Sequence, residues 1–328
     1  MTGGLRRGLV LGSGGVLGVA WMVGAVHALQ DETGLDVRDF DALVGTSAGS
    51  ILAALLGAGT SAADLVAHQR GGPVESGPLA GFYFDYENAS RGDRLVHLRP
   101  GIGSRELLLH NARHLYRLPA TAVLSALLPE GLGNLGAVGA LITDVAPDGW
   151  VAREGLSVVA LDYDTGTRVA FGRPGAPPAM LADAVLASCA IPGWYHPVRI
   201  GEHRYVDGGA WSSTNLDLLT GAGLDEVFVL APQASFDAGN PSRLATRLER
   251  HWRTQVTTRL VREVTRVHAQ GTEITVLAPG QEDLQAIGNN PMNVSRRLAV
   301  LETSLRTCAP ALRDPAELPE RSRLRDAG

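Results

Sequence analysis

The sequence predicts an α/β fold, one large domain carrying an insertion, and three observations predict it. Two units, each a short apolar run, a glycine-bearing turn and a helical run, follow one another at residues 8–30 and 40–56. Residues 224–230 and 273–277 are apolar enough to be buried strands, and 242–269 between them reads as a long helix. The chain has 328 residues, 45% of them hydrophobic, enough to bury a full core without dividing into independent domains.

Composition removes several function classes. A formal net charge of -5 and an isoelectric point near 6.0 argue against a nucleic-acid binder, which carries a basic excess. All 29 cationic residues are arginine. The absence of lysine excludes a Walker A phosphate loop, a Ser-Lys dyad and a Schiff base together. Cys189 and Cys308 fit neither a disulfide framework nor a Cys-x-x-Cys metal site, so a reducing cytoplasm is expected.

Arg6-Arg7 followed by the uncharged stretch 8–26 has the order of a signal peptide or a membrane span. Six glycines interrupt it, and each one inside a helix costs about 1 kcal/mol relative to alanine. No Ala-x-Ala cleavage site follows. The stretch is better parsed as a strand (8–11), a glycine loop (12–18) and an amphipathic helix (19–30), so the N-terminus is expected to be retained.

The centre of the pattern is Gly45-Thr46-Ser47-Ala48-Gly49, between a strand at 40–44 and a helix at 48–56. A serine at such a junction sits in a sharp turn with its hydroxyl at the strand's carboxyl end, and glycines on both sides let strand and helix approach. A helix N-terminus there favours negative charge on the attacking oxygen. Alone, the pentapeptide is equally a glycine turn with a serine N-cap.

The loop Gly12-Ser13-Gly14-Gly15-Val16-Leu17-Gly18 lacks the third glycine of a dinucleotide fingerprint, because position 17 is leucine. Gly14-Gly15 still supply backbone N–H groups that no side chain obstructs, which suits an oxyanion hole.

Downstream, 71–150 has a looser pattern and reads as an insertion over the site. It holds Phe82, Tyr83, Phe84 and Tyr86, then helices at 104–117 and 121–128. That segment suits an acyl-chain slot, a membrane-docking surface, or simply the insertion's own core. A hairpin at 156–162 and 167–171 and a helix at 179–190 follow, and a strand at 204–206 leads into Asp207-Gly208-Gly209. By itself the last is an ordinary Asp-Gly turn. The helix at 242–269 carries seven arginines against Glu249 and Glu263, a face for anionic lipid headgroups or merely a solvated one. A final helix at 293–308 precedes a tail rich in Pro, Arg, Asp and Glu.

Taken together, the Gly-Gly loop, the Gly45–Gly49 elbow, Ala187-Ser188-Cys189-Ala190-Ile191-Pro192-Gly193 and Tyr205-Val206-Asp207-Gly208-Gly209 resemble the patatin-like phospholipases, in that family's order. Two positions depart from its pattern: the usual first loop glycine is Ser13, and the frequent arginine or lysine before the last glycine is Leu17. Both bear on how the loop is anchored; the backbone donors survive.

The resemblance implies a patatin-like three-layer α/β/α domain over 1–310 with a mainly parallel central sheet, to which the looser pattern adds a helical insertion at 71–150 and the end composition a flexible charged tail at 311–328. It implies Ser47 as nucleophile, Asp207 as base and Gly14 and Gly15 as oxyanion donors, with Gly12, Gly18, Gly45, Gly49, Gly208 and Gly209 shaping the motifs. It further implies a lipid ester substrate of phospholipase A or lysophospholipase type and no metal or organic cofactor; composition adds the expectation of a cytoplasmic enzyme, at most peripheral to a membrane surface, and of no nucleic acid. Two rivals remain at this stage. One is an α/β-hydrolase triad using His251 or His268, which places more strands before its elbow than the two expected here. The other is a non-catalytic lipid-binding or interaction scaffold.

Overall fold

Arg7–Leu11 (β1) and Ala42–Thr46 (β2) form the parallel centre of an eight-stranded sheet, with Leu9 opposite Leu43 and Leu11 opposite Gly45. The computed structural model describes residues 4–82, 98–99, 101–236 and 244–313, with side chains at all of these except 98–99 and 244–251. Beside β1 lie Glu226–Leu230 (β9) and then Glu273–Leu277 (β10), both parallel to it. On the other side, β2 pairs in parallel with Leu156–Asp162 (β5). Arg168–Phe171 (β6) and His203–Asp207 (β8) run antiparallel to β5, and Val198–Ile200 (β7) closes the sheet beyond β8.

Strand alternation sends side chains to two cores. Leu9, Leu11, Leu43, Phe228 and Leu230 join the larger one, while Val10, Val44, Val159, Val227 and Val229 line the other face. Because the central strands are covered on both sides, they read in sequence as unbroken apolar runs. Leu244–His268 (α8) covers the valine face with Leu260, Val264 and Val267. The opposite face is covered by Gly15–Thr33 (α1), Ala48–Gly57 (α2), Ala62–Gln69 (α3), Leu181–Cys189 (α7) and Arg297–Arg313 (α10). The result is the three-layer α/β/α arrangement with a mainly parallel sheet.

The uncharged stretch 8–26 is thus a central strand and a helix whose Trp21, Met22 and Leu29 are fully buried. Among the described residues, no helix is long and apolar enough to cross a membrane. Gly24 has a packing role: a Cβ there would lie 2.0 Å from Ser304 Oγ, so α1 and α10 cross at glycine distance. α1 also begins four residues earlier than expected, at Gly15, since the first turn of a helix does not need its N–H groups bonded within the helix.

The segment 101–150 contains Arg105–His110 (α4), Ala120–Leu127 (α5), Gly136–Val145 (α6) and Glu130–Gly131 (β4), which forms a small antiparallel ribbon with the preceding Leu98–Arg99 (β3). The single helix expected over 104–117 stops at His110. There the Asn111 amide donates to the carbonyls of Leu107 and Thr165 and turns the chain. Leu141, Ile142 and Ala146 belong to the main core, and Phe82 packs against it. Tyr83, Phe84 and Tyr86 lie outside the described residues.

The short α9 (Gln281–Ile287) and the three-residue β7 were not anticipated, being too brief for periodicity to register. The last helix runs through Pro310 to Arg313, whose guanidinium forks onto Glu32 at 2.5 and 2.6 Å. That anchor extends the helix beyond the 308 expected. Residues 314–328, most of the expected tail, lie outside the described residues.

Candidate active site

Ser47 lies between β2 and α2 with φ 52° and ψ −121°, and only Asn215 among the other described non-glycine residues has a positive φ. An L-residue adopts this conformation at an energetic cost, so its surroundings must enforce it. Gly49 is the main enforcer: a Cβ there would fall 1.9 Å from the Leu11 carbonyl oxygen, so α2 crosses the end of β1 at a distance only glycine allows. Gly45 faces the same constraint, since a Cβ there would lie 2.6 Å from both Gly49 O and Ser50 Cα. From below, the Ser47 N–H donates to Ser188 Oγ (2.8 Å), and that hydroxyl donates to the Val159 carbonyl (2.6 Å).

Register brings Asp207 to the same place. β6 pairs with residues 158–161 of β5, occupying one edge of that strand. β2 pairs with 156–159 and β8 with 160–162, so both must use the other edge, end to end. Thr46 stands opposite Val159 and Asp207 opposite Ala160. The two strands therefore meet head-on, and Ser47 and Asp207 are the residues at the junction. Gly208 makes the turn possible, since a Cβ there would lie 2.3 Å from Val159 O.

The Asp207 carboxylate is buried and accepts the Gly209 N–H at 2.7 Å. Burial raises its pKa to about 6, against the opposing hydrogen-bonding influences of the Ser47 hydroxyl and the Gly209 N–H. Beside it, burial pushes the Cys189 thiol well above its ordinary range, with the Asp207 charge adding to the effect. Cys189 is thus a neutral thiol beside Ser47.

Leu11 opposite Gly45 puts the glycine loop at the same sheet end as Ser47. Within the loop, the N–H groups of Gly12, Ser13 and Leu17 donate to the carbonyls of Leu230, Ser213 and Pro291, each at 2.9 Å. Those of Gly14 and Gly15 have no protein acceptor among the described residues, and they stand at the N-terminus of the 19-residue α1. Pro232 packs so close to Gly14 that a Cβ would meet its ring at 2.7 Å; Gly15, at φ 63°, is capped by Met292 and Pro291. Gly18 sits beside Ala48 of the elbow, and Gly12 against the Leu230 carbonyl.

Both departures from the family pattern have local anchors. Ser13 Oγ is 2.8 Å from Ser213 Oγ and donates to Gln233 Oε1 at 3.2 Å, while the Leu17 side chain is fully buried.

Several residues that sequence reasoning missed hold this arrangement. Asn215 donates to Thr46 Oγ1 at 3.1 Å, joining the segment after Asp207 to the end of β2, next to Ser47. Glu263, buried on α8, accepts Ser212 Oγ (2.6 Å), Thr214 Oγ1 (2.7 Å) and the Leu216 N–H (3.0 Å). Burial raises its carboxyl above the ordinary value, opposed by the Ser212 hydroxyl. One hint existed in the sequence: Glu263 is one of two acids among seven arginines. Glu263→Ala would strand three buried donors at roughly 1–3 kcal/mol each, partly relieved by hydroxyl rotation. A loss of about 2–4 kcal/mol in unfolding free energy is expected, read from the urea midpoint.

Other candidates have different uses. His203 Nδ1 pairs with Asp162 at 2.9 Å, and His268 Nδ1 faces the Thr272 carbonyl at 3.1 Å. The His251 side chain lies outside the described residues. Asp162, Asp164 and His203 have ligand atoms within 4.8 Å of one another, a set that could hold a metal ion. Asp164, however, is already forked onto Arg204 at 2.6 and 2.9 Å, and Asp162 accepts the N–H groups of Asp164 and Thr165. Of the basic helix, Arg259 stacks over Trp211 and Arg266 reaches Asp217, so part of that face braces loops.

The chain is 27% identical over 206 residues to uncharacterised NTE family proteins of Mycobacterium bovis and Mycobacterium tuberculosis. The match covers 63% of this chain and 27% of theirs, so it spans about a quarter of the length of those curated relatives. Among solved structures, VipD from Legionella pneumophila aligns with a TM-score of 0.40 at 14% identity, over 91% of this chain and 67% of that one. The type III effector protein ExoU aligns at 0.35 and 18% identity, over 94% and 53%. The family model for patatin-like phospholipases matches residues 9–71 and 91–220, more than half of the sequence, and takes in the glycine loop, the Ser47 elbow and the Asp207 turn. The chain belongs to the patatin-like phospholipase family.

Proposed function

We propose that the protein is a serine lipid acyl hydrolase that cleaves carboxylic esters of lipids through a Ser47-Asp207 dyad. The observation that carries the reading is the head-on meeting of β2 and β8, which buries a carboxylate with a raised pKa against a serine held at φ 52°. An aspartate at its ordinary pKa of about 3.9 is a weak base for a hydroxyl, and burial moves it toward the useful range.

In the first half-reaction, Ser47 Oγ attacks the ester carbonyl as its proton passes to Asp207. The tetrahedral oxyanion is held by the Gly14 and Gly15 N–H groups and the positive end of α1. Collapse breaks the bond to the leaving alcohol, which takes the proton from Asp207 and leaves an acyl-serine. In the second half, water attacks the acyl carbon and gives its proton to Asp207, and Ser47 Oγ departs protonated as the acid is released. A phospholipase A or lysophospholipase specificity is part of this proposal, as is action without a metal or organic cofactor.

The pH profile on a soluble short-chain ester tests the reading. Only the deprotonated carboxylate serves as base, so kcat/KM should fall about tenfold per pH unit below about 6 and level off above it. A profile still flat down to pH values near 4 would point to a group other than a buried carboxylate.

A further inference from the structure

α5 (Ala120–Leu127) is built inside out. Its small residues Ala122, Ser125 and Ala126 are buried, whereas Leu124 and Leu127 are 56% and 50% exposed, and Leu128 just beyond is exposed too. A helix at the rim of a globular domain ordinarily turns leucine inward and polar groups outward. Here its two polar side chains are already satisfied by backbone: Thr121 donates to the Ala210 carbonyl at 2.5 Å and Ser125 to that of Ala122 at 2.7 Å.

The face extends beyond the helix to exposed Ile102, Leu132 and Trp194. These segments are neighbours in space: a Cβ on Gly193 would touch Leu128, Gly103 abuts the Leu128 carbonyl, and the Gly133 N–H donates to Trp194 O at 3.0 Å. It also borders the candidate site. The Thr121 bond lands on the turn after Asp207, and Trp194 closely follows Ala190, whose carbonyl accepts the Asp207 N–H. The insertion's own core is made by other side chains, among them Leu107, Ala122 and Ala126 packed on Leu161, Tyr163 and Val206.

Charge selects the occupant. The carboxylates of residues 101–135 are Glu106 and Glu130, and both bind Arg204 at 2.9 Å. Exposed Arg105, Arg113 and Arg117 therefore have no acidic partner among the described residues, and Arg117 lies 5.6 Å over the ring of exposed Tyr116. Outward leucines flanked by tyrosine, tryptophan and unpaired arginines are the composition that rests at an anionic lipid interface.

We propose that the face formed by Leu124, Leu127, Leu128, Leu132, Ile102 and Trp194 docks the protein on anionic bilayers, with the arginines at headgroup level. The docking takes its purpose from the proposed lipid hydrolysis, since it would hold the Ser47 site against its substrate's surface. The binding itself is separable from turnover.

The test uses the full chain carrying Ser47→Ala, so that vesicles are bound and not consumed. It should sediment with phosphatidylcholine vesicles containing phosphatidylglycerol and much less with phosphatidylcholine alone. Leu124→Ser, Leu127→Ser and Leu128→Ser combined should weaken this partitioning at least about tenfold. Arg113→Glu with Arg117→Glu should weaken it by at least about tenfold at low salt.

Because Cys189 and Cys308 are buried, Leu127→Cys gives one accessible thiol for an NBD label, which covers the case of a triple variant that fails to fold. Its emission should shift to the blue only when anionic vesicles are added. The proposal is overturned if the folded chain ignores vesicles, if the folded triple variant binds undiminished, or if the label stays wet on bound protein. A label already dry without vesicles would also overturn it: concentration dependence would identify a second copy as the occupant, and its absence another segment of this chain. Vesicle binding without ester turnover by the wild type would leave the docking face standing and remove the hydrolase reading; turnover without binding would do the reverse.

Discussion

Asp207→Asn is expected to cut ester turnover by about 10² to 10⁴ and, at neutral pH, to make the protein more stable. The change keeps the shape and leaves an oxygen to accept the Gly209 N–H, now 2.7 Å away. It removes the proposed proton acceptor, and loss of a general base costs about 10² to 10⁴ in rate. The stability effect follows from linkage. The Asp207 carboxyl is raised from 3.8 to about 6 in the folded protein, so between about pH 4 and 6 the folded state binds more protons than the unfolded one.

The contribution of Asp207 to stability therefore falls as pH rises through that window, and the whole penalty is present above it. At 1.36 kcal/mol per unit, a shift of about two units is worth up to roughly 3 kcal/mol. Asparagine has no such penalty. The gain should be near zero at pH 4, grow to about pH 6 and then stay level, as read from urea midpoints of the two proteins. A less stable Asp207→Asn at pH 7.5 would mean the buried carboxylate is compensated by contacts stronger than those to Ser47 and Gly209.

Gly49→Ala should be among the most damaging small substitutions in the chain. Its Cβ would fall 1.9 Å from Leu11 O and 2.3 Å from the Leu11 carbonyl carbon, both backbone atoms of the central strand. Neither can rotate away. α2 must then lift from β1 and take the Ser47 turn with it, at a cost of about 4 kcal/mol or more, beyond the usual range for a point change. Gly59→Ala is the matched control. Gly59 has φ +96° but nothing within 4 Å of a new Cβ, so only backbone strain of about 1–2 kcal/mol is added. Unfolding midpoints should separate the two variants clearly, and Gly59→Ala should keep most of its ester turnover. Equal losses would show that strain, not the helix crossing, sets the cost at Gly49.

What was legible in the sequence was local. The strand at 7–11, the turn at Ser47, the hairpin after Asp162 and the glycine loop each carry their reason within a few residues. The parallel strands stood out because burial on both faces leaves no polar alternation to confuse them. What was illegible depends on residues far apart in the chain. Ser188 supports Ser47 across 141 positions, and Asn215 reaches Thr46 across 169. Glu263 looked like a stray acid in a basic helix, because its partners Ser212, Thr214 and Leu216 meet it only after α8 has packed on the sheet.

The end-to-end meeting of β2 and β8 was equally hidden, since periodicity predicts strands and not which edge of β5 each will use. In α5 the leucine pattern suggested an ordinary helix over 121–128. Only the fold reveals that alanine and serine point inward and leucine out.

Treating the folded protein with a fluorophosphonate probe and mapping the adduct by peptide mass spectrometry tests the proposed Ser47-Asp207 dyad. Ser47 is expected to carry the label, with labelling abolished in Ser47→Ala and slowed at least about a hundredfold in Asp207→Asn. A folded protein that stays unlabelled, or that carries the adduct on another residue while Ser47→Ala still turns over ester, would contradict the account.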